Sequence, residues 1–105
     1  MSWAILFLAG IFEVLWAIGL KYSEGFTKLN PTIFTIVTMA ISIYLLSLAL
    51  KTLPLGTAYA VWVGIGSVGV VIAGVFLFSE SVSFFRLISI AFIIVGVIGL
   101  NITNS

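Results

Sequence analysis

Four long apolar stretches constrain this chain more than any other feature. They occupy residues 3–20, 31–50, 55–78 and 84–100, and a helix that crosses a bilayer needs about 20 mainly apolar residues. Only 7% of the residues are charged, whereas a soluble domain carries roughly 25%. The sequence therefore predicts an all-α membrane protein in which residues 1–105 form a single domain of four transmembrane helices.

The three connections between these stretches are short. Pro31 and Pro54 lie at or just before the second and third apolar stretches, where a missing backbone N–H has little effect on a helix. Connections of this length make consecutive helices antiparallel. The fourth stretch has no deep polar group, and we expect it to pack in a dimer interface.

Positive charge is spread almost evenly over the two predicted membrane sides. Lys21, Lys28 and Arg86 belong to one side, and Lys51 belongs to the other together with the terminal amine. Because orientation follows the excess of Lys and Arg in short loops, so weak a bias permits insertion both ways. Two oppositely inserted copies could then supply the inverted repeat with which many transporters work.

The composition excludes most reactive centres. The chain has no His, no Cys and no Asp, so it lacks the side chains of disulfides, thiolate or imidazole metal sites and Ser-His-Asp triads. We therefore expect no enzyme, no metal and no cofactor. The net charge of +1 is too small to indicate a nucleic-acid partner.

A glycine pattern in the third stretch resembles a nucleotide-binding motif without its context. Residues 64–69 match G-x-G-x-x-G, but they lie inside an apolar run and not between a strand and a helix. We expect these glycines to permit close helix contacts instead. We expect Gly64 and Gly66 to bend the third helix.

Glu13 is the strongest functional signal. It lies near the middle of the first apolar stretch, where a charged group costs about 2.5–3.5 kcal/mol on insertion scales. One interpretation is a carboxyl group that holds a neighbouring helix by a hydrogen bond. We favour the other, a binding site for a cation or a proton.

Aromatic side chains repeat near this carboxylate. At 100° per residue, Gly10 and Trp16 share a helical stripe with Glu13, and Tyr59 and Trp62 have the same spacing in the third stretch. Aromatic faces attract cations, most strongly when both are removed from water. The pattern predicts a cation pocket in which Gly10 leaves room beside the carboxylate. Ser42, at a similar depth, could donate a hydrogen bond to Glu13.

Four segments carry a resemblance to a known family. They are residues 13–17 (EVLWA), 20–27 (LKYSEGFT), 42–46 (SIYLL) and 54–62 (PLGTAYAVW). Through them the chain resembles the small multidrug resistance family over essentially its whole length. The segments 13–17 and 42–46 look like its guanidinium-exporter branch.

The resemblance implies an antiparallel homodimer in the bacterial inner membrane that exchanges protons for guanidinium ions. It also implies that Glu13 of both subunits binds substrate or protons. Ser42 and Trp16 would support the carboxylate, and Tyr59 and Trp62 would line the pocket.

The bulk of Trp16 beside Glu13 predicts a preference for compact planar cations. Guanidinium and alkylguanidinium would be carried well, with an alkyl tail leaving between helices past the portal residue Met39. Three alternative functions stay open from the sequence: a broad-specificity exporter of quaternary ammonium compounds in the same family, a membrane subunit that transports nothing, and a cation channel. Pairing with a paralogous chain is also open, although the balanced loop charges favour self-pairing.

Overall fold

In the computed structural model, the described residues 2–102 form four α-helices. They are α1 (Ser2–Tyr22), α2 (Leu29–Ala49), α3 (Leu55–Phe78) and α4 (Phe84–Ile102). Each helix is long and apolar enough to cross a membrane, which confirms the predicted all-helical class with four potential spans. Met1 and residues 103–105, which the predicted domain 1–105 includes, lie outside the described residues.

The start of α2 differs from the expected boundary. The helix begins at Leu29, although the apolar stretch was expected to begin at Pro31. The first four N–H groups of a helix have no partner within it, so Pro31 as third residue removes no hydrogen bond. The helix can therefore begin before the proline, and Thr32 N–H donates to the Lys28 carbonyl at 3.1 Å.

Contacts between helices establish their relative directions. Ala9, early in α1, meets Ser42, late in α2, whereas Gly19, late in α1, faces Thr35, early in α2. α1 and α2 are therefore antiparallel, as the short connection predicts. α3 runs parallel to α1, because Gly10 meets Ile65 and, further along both helices, Val14 meets Gly69.

The hydrophobic core is concentrated at one end of the molecule. Its buried members come from the first half of α1, the second half of α2, the α2–α3 connection and the first half of α3: Leu6, Ala9, Leu46, Ala49, Leu53, Ala58, Val61 and Trp62. Because α2 is antiparallel to its neighbours, these segments lie together. We call this region the packed end, where Ser2 and Thr52 also share a hydrogen bond.

The opposite end, which we call the loose end, is built differently. It contains the end of α1, the α1–α2 connection, the end of α3 and the α3–α4 connection. Its buried residues are small or polar, among them Gly19, Ser23, Thr35 and Gly74. Large buried apolar side chains are absent from this end within residues 2–102, so less apolar area holds its helices together.

α4 packs against α3, and its partly buried Val97 and Leu100 reach the edge of the core. Ile93 and Val97 of α4 approach Gly64 of α3, and no residue of α4 is buried within the described chain. Many of its large apolar side chains are exposed, with Phe85 78% and Phe92 73% accessible. A polar ion pair at the α3–α4 connection, Arg86 to Glu80 at 3.1 Å, accompanies this packing.

Candidate functional site

Glu13 lies on the α1–α3 seam and packs against the backbone of α3. It is partly buried, and its side chain lies so close to Gly66 that a Cβ there would stand 2.9 Å from the Glu13 Cγ and would overlap the carboxyl group. The absence of a side chain at Gly66 thus allows the Glu13 carboxylate to contact the α3 backbone. The sequence indicated close contact at this glycine but not the residue that it accommodates.

The carboxylate of Glu13 keeps acceptor capacity free. Its Oε1 atom is buried and has no hydrogen-bond partner among residues 2–102. A buried polar atom without a partner is uncommon and is often part of a binding or catalytic site. The first interpretation of Glu13 was a carboxyl group that holds a neighbouring helix by a hydrogen bond. This oxygen forms no such bond and gives that interpretation no support.

Trp16 presents a second unpaired polar group one turn further along α1. Its indole Nε1 is buried and, within the described chain, has no acceptor. Residues three apart on a helix are neighbours on its surface. The α1 helix thus carries an acceptor on Glu13 and a donor on Trp16 on one face, and the two groups are not bonded to each other or to any other described residue.

Ser42 forms the centre of a hydrogen-bond chain through three helices. Its hydroxyl donates to the Ala9 carbonyl at 2.7 Å and accepts from Nε1 of Trp62 at 3.0 Å. The expected hydrogen bond from Ser42 to Glu13 is therefore not formed in this structure. The reason is that a hydroxyl has one proton to donate, and Ser42 donates it to the Ala9 carbonyl.

Tyr59 and Trp62 are brought together as the spacing predicted. Their ring centroids are 5.5 Å apart with the planes inclined by 52°. Trp62 is buried in the core, whereas Tyr59 is 53% exposed. Tyr59 lines an open groove of about 690 Å³ between α3 and α4, together with Ser67 and Gly96.

The remaining candidate residues have mixed positions. Gly10 was expected to leave room beside Glu13, but Ile65 fills that room, since a Cβ on Gly10 would stand 2.6 Å from its Cγ2. Gly64 is a contact glycine towards α4, and α3 continues as an α-helix through Gly64 and Gly66. The bend at these glycines stays a prediction. Met39 is partly buried on α2, and its role as a portal also stays a prediction.

Sequence reasoning missed the contacts that close the loose end. Tyr22 at the end of α1 packs on Phe78 at the end of α3, with ring centroids 5.0 Å apart, and Lys21 Nζ lies 5.2 Å from the same ring. The pairing was hidden because it joins residues far apart in the chain. The short connections already imply that α1 and α3 are parallel, but they do not show which faces of the two helices meet, because apolar residues surround both helices.

Comparisons with known proteins agree on a family. A sequence model described as Small Multidrug Resistance protein matches residues 1–93. The guanidinium exporter of Proteus vulgaris is 54% identical over 104 residues, which cover 99% of this chain and 100% of that protein. The guanidinium exporter of Yersinia pestis is 55% identical with the same coverage, and that of Citrobacter freundii is 56% identical over 99% of both chains.

Proposed function

This chain belongs to the small multidrug resistance family of multi-pass membrane proteins, and we propose that it exports guanidinium across the bacterial inner membrane in exchange for protons. The observation that carries the proposal is the buried Glu13 oxygen without a hydrogen-bond partner. Full-length similarity to guanidinium exporters supports the choice of substrate.

Guanidinium, which has only N–H donors, matches the unused acceptor of Glu13. A carboxylate accepts paired hydrogen bonds from a planar guanidinium, and such charge-assisted pairs are about twice as strong as neutral ones. The cation also offers a flat face to an indole, and Trp16 lies one turn from the carboxylate. A quaternary ammonium ion has no N–H and would have to rely on aromatic walls alone.

Exchange follows from competition for one carboxylate. Ionised Glu13 attracts the cation, whereas protonated Glu13 has lost that attraction. If the protein changes the side to which the site is open only when it carries a proton or a cation, inward movement of protons drives outward movement of guanidinium. Neither step needs a cofactor.

Two antiparallel copies would complete the pocket. In one copy α4 has no buried residue and Tyr59 lines an open groove, so a large apolar surface is left for a partner. A second copy inserted in the opposite direction supplies a second Glu13 and an inverted repeat. The balanced loop charges permit this arrangement.

Within such a pair, the other site residues have supporting roles. Trp62 and Tyr59 form aromatic walls, and Ser42 holds Trp62 in place through its hydrogen bond. An alkyl chain on the substrate would leave between helices past Met39. These roles extend the single-copy geometry to the assembled dimer.

Transport by purified protein in lipid vesicles tests the proposal. A proton gradient should drive uptake of guanidinium and singly alkylated guanidinium, and a bulky polyaromatic cation should compete poorly. A polyaromatic cation that outcompetes guanidinium would assign the chain to the multidrug branch of the family. Vesicles that carry out no proton-driven exchange of any cation would support a subunit without transport activity.

A further inference from the structure

The α1–α3 seam is closed by a series of contacts that ends at the loose end. Along its length, Gly10 meets Ile65, Glu13 meets Gly66, and Val14 meets Gly69. The last contact in this series is Tyr22 on Phe78. Glu13 and the aromatic pair therefore belong to the same interface between the same two helices.

The seam is packed much more tightly on one side of Glu13 than on the other. Towards the packed end, the route from Glu13 runs into the buried side chains Leu6, Val61 and Trp62. Towards the loose end, the residues of α3 beyond Gly66 bury only Gly74 within the described chain. Separating α1 from α3 at the loose end therefore exposes far less apolar surface, and the hydrophobic term resists it less.

The geometry points to Tyr22 and Phe78 as a latch that closes the loose end of the α1–α3 seam and parts when that end opens to the substrate. The inference rests on the proposed exchange function and adds to it the place of the gate. Tyr22 follows Glu13 by nine residues, or about 13 Å of helix. The latch thus lies between the carboxylate and the membrane surface.

Lys21 adds a charge to the same contact. Its Nζ lies 5.2 Å from the centre of the Phe78 ring, a distance at which a cation is attracted to an aromatic face. When the latch is closed, a positive charge stands at the outer edge of the seam. That charge opposes the approach of a cationic substrate along the closed seam.

The latch gives the antiparallel pair a simple switching rule. In two oppositely inserted copies, each side of the membrane receives the loose end of one copy and the packed end of the other. The site opens to one side when one latch parts and to the other side when the second latch parts. At any moment one latch is closed and the other open.

Reversible cross-linking tests this latch in the native Cys-free background. Tyr22→Cys and Phe78→Cys are combined, the reconstituted protein is bridged with a short bis-methanethiosulfonate reagent, and exchange is measured before bridging, after it and after reduction. Because a bridged latch cannot open, exchange should fall by at least about tenfold and return on reduction. Exchange that continues unchanged after complete bridging overturns the latch.

A matched pair at the packed end provides the control. Ser2 and Thr52 are joined by a hydrogen bond across α1 and the α2–α3 connection, and the same bridging of Ser2→Cys with Thr52→Cys should change exchange by less than about twofold, since the packed end stays closed. Equal losses for both pairs would contradict a gate confined to the loose end. If the native chain itself exchanges nothing, the proposed function fails instead, and the two failures are thereby distinguished.

A second measurement leaves both latch residues in place. The dimer is labelled with fluorotyrosine, and the fluorine NMR signal of Tyr22 is assigned from its absence in Tyr22→Phe. Open and closed latches should give two Tyr22 signals of equal intensity, and Phe78→Leu should abolish their separation. A single Tyr22 signal that Phe78→Leu leaves in place overturns the latch even where the Cys variants are inactive.

Discussion

Glu13 is the residue on which the proposed exchange depends, because it is the carboxylate that α1 holds against Gly66 with a buried, unpaired oxygen. The change Glu13→Gln keeps nearly the same shape but cannot ionise or release a proton. We expect proton-driven guanidinium uptake to fall to the level of protein-free vesicles, while the protein stays folded by circular dichroism.

The same substitution at Glu24 is the matched control for Glu13. Glu24 lies in the α1–α2 connection, and its carboxylate is 3.7 Å from Lys28 Nζ in an exposed pair. Exposed pairs of this kind contribute little, so Glu24→Gln should retain uptake. Proton-driven uptake that survives in Glu13→Gln would remove Glu13 from the mechanism.

Trp16 is expected to set the size of the cation. Trp16→Gly removes the indole beside Glu13, and losing a desolvated cation–π contact should weaken guanidinium binding by about 2 kcal/mol, or roughly thirtyfold. The released volume should at the same time improve binding of a polyaromatic cation. Competition binding with both ligands measures the two effects.

Trp16→Phe separates the ring of Trp16 from its N–H. It preserves an aromatic face but removes the unpaired Nε1 donor. If stacking dominates, Trp16→Phe should bind guanidinium nearly as well as the native chain and still discriminate against the polyaromatic cation. A loss as large as that of Trp16→Gly would assign the effect to the indole N–H.

At the scale of the helices, Ser42 links α2 to both α1 and α3 by hydrogen bonds. Its hydroxyl joins the Ala9 carbonyl of α1 and the Trp62 indole of α3, and Ser42→Ala leaves that indole N–H without its acceptor. We expect the free energy of unfolding in detergent micelles to fall by about 1–2 kcal/mol. Titration with a denaturing detergent measures the loss.

Ser47→Ala is the control for this interhelical tie. Ser47 lies on the same helix, but its exposed hydroxyl bonds only to the Tyr44 carbonyl one turn earlier, at 2.6 Å. Its loss should change stability by a few tenths of a kcal/mol at most, about the scale of a solvent-facing substitution. Equal losses of stability for Ser42→Ala and Ser47→Ala would show that the hydrogen bonds of Ser42 to α1 and α3 add nothing to the stability of the protein.

For the whole molecule, the near balance of loop charge should give both orientations in the membrane. Ser81→Cys places a label in the exposed α3–α4 connection without changing the number of Lys and Arg residues. Impermeant thiol reagents should find this residue on both sides of the cell membrane. Labelling on one side only would contradict dual insertion and the antiparallel pair built on it.

A charge-shifted chain provides the control for dual insertion. Replacing Lys21 and Lys28 by Ser leaves Arg86 alone against Lys51 and the terminal amine. The positive-inside rule then predicts that more molecules place the Lys51 side in the cytoplasm. The distribution of the Ser81→Cys label should shift accordingly.

Much of the architecture could be predicted from the sequence, because four apolar stretches and short connections leave little choice of helix number or of direction between neighbours. Glu13 stood out for the same reason, since charge inside an apolar span is costly. That Tyr59 and Trp62 share one face of α3 followed from helical spacing alone. These features depend on hydropathy and on local geometry, which are properties of the chain itself.

Only the tertiary structure decided which faces of the helices meet. In the structure, Ile65 occupies the space beside Gly10, and Glu13 packs against Gly66. Ser42 donates its hydrogen bond to Ala9 and not to Glu13. The buried core residues lie together at one end of the molecule. In a membrane protein the apolar residues surround each helix almost uniformly, so periodicity does not distinguish a buried face from one that faces lipid. Helix pairing there depends on close van der Waals fit at small residues and on interhelical hydrogen bonds, and both exist only once the helices have packed.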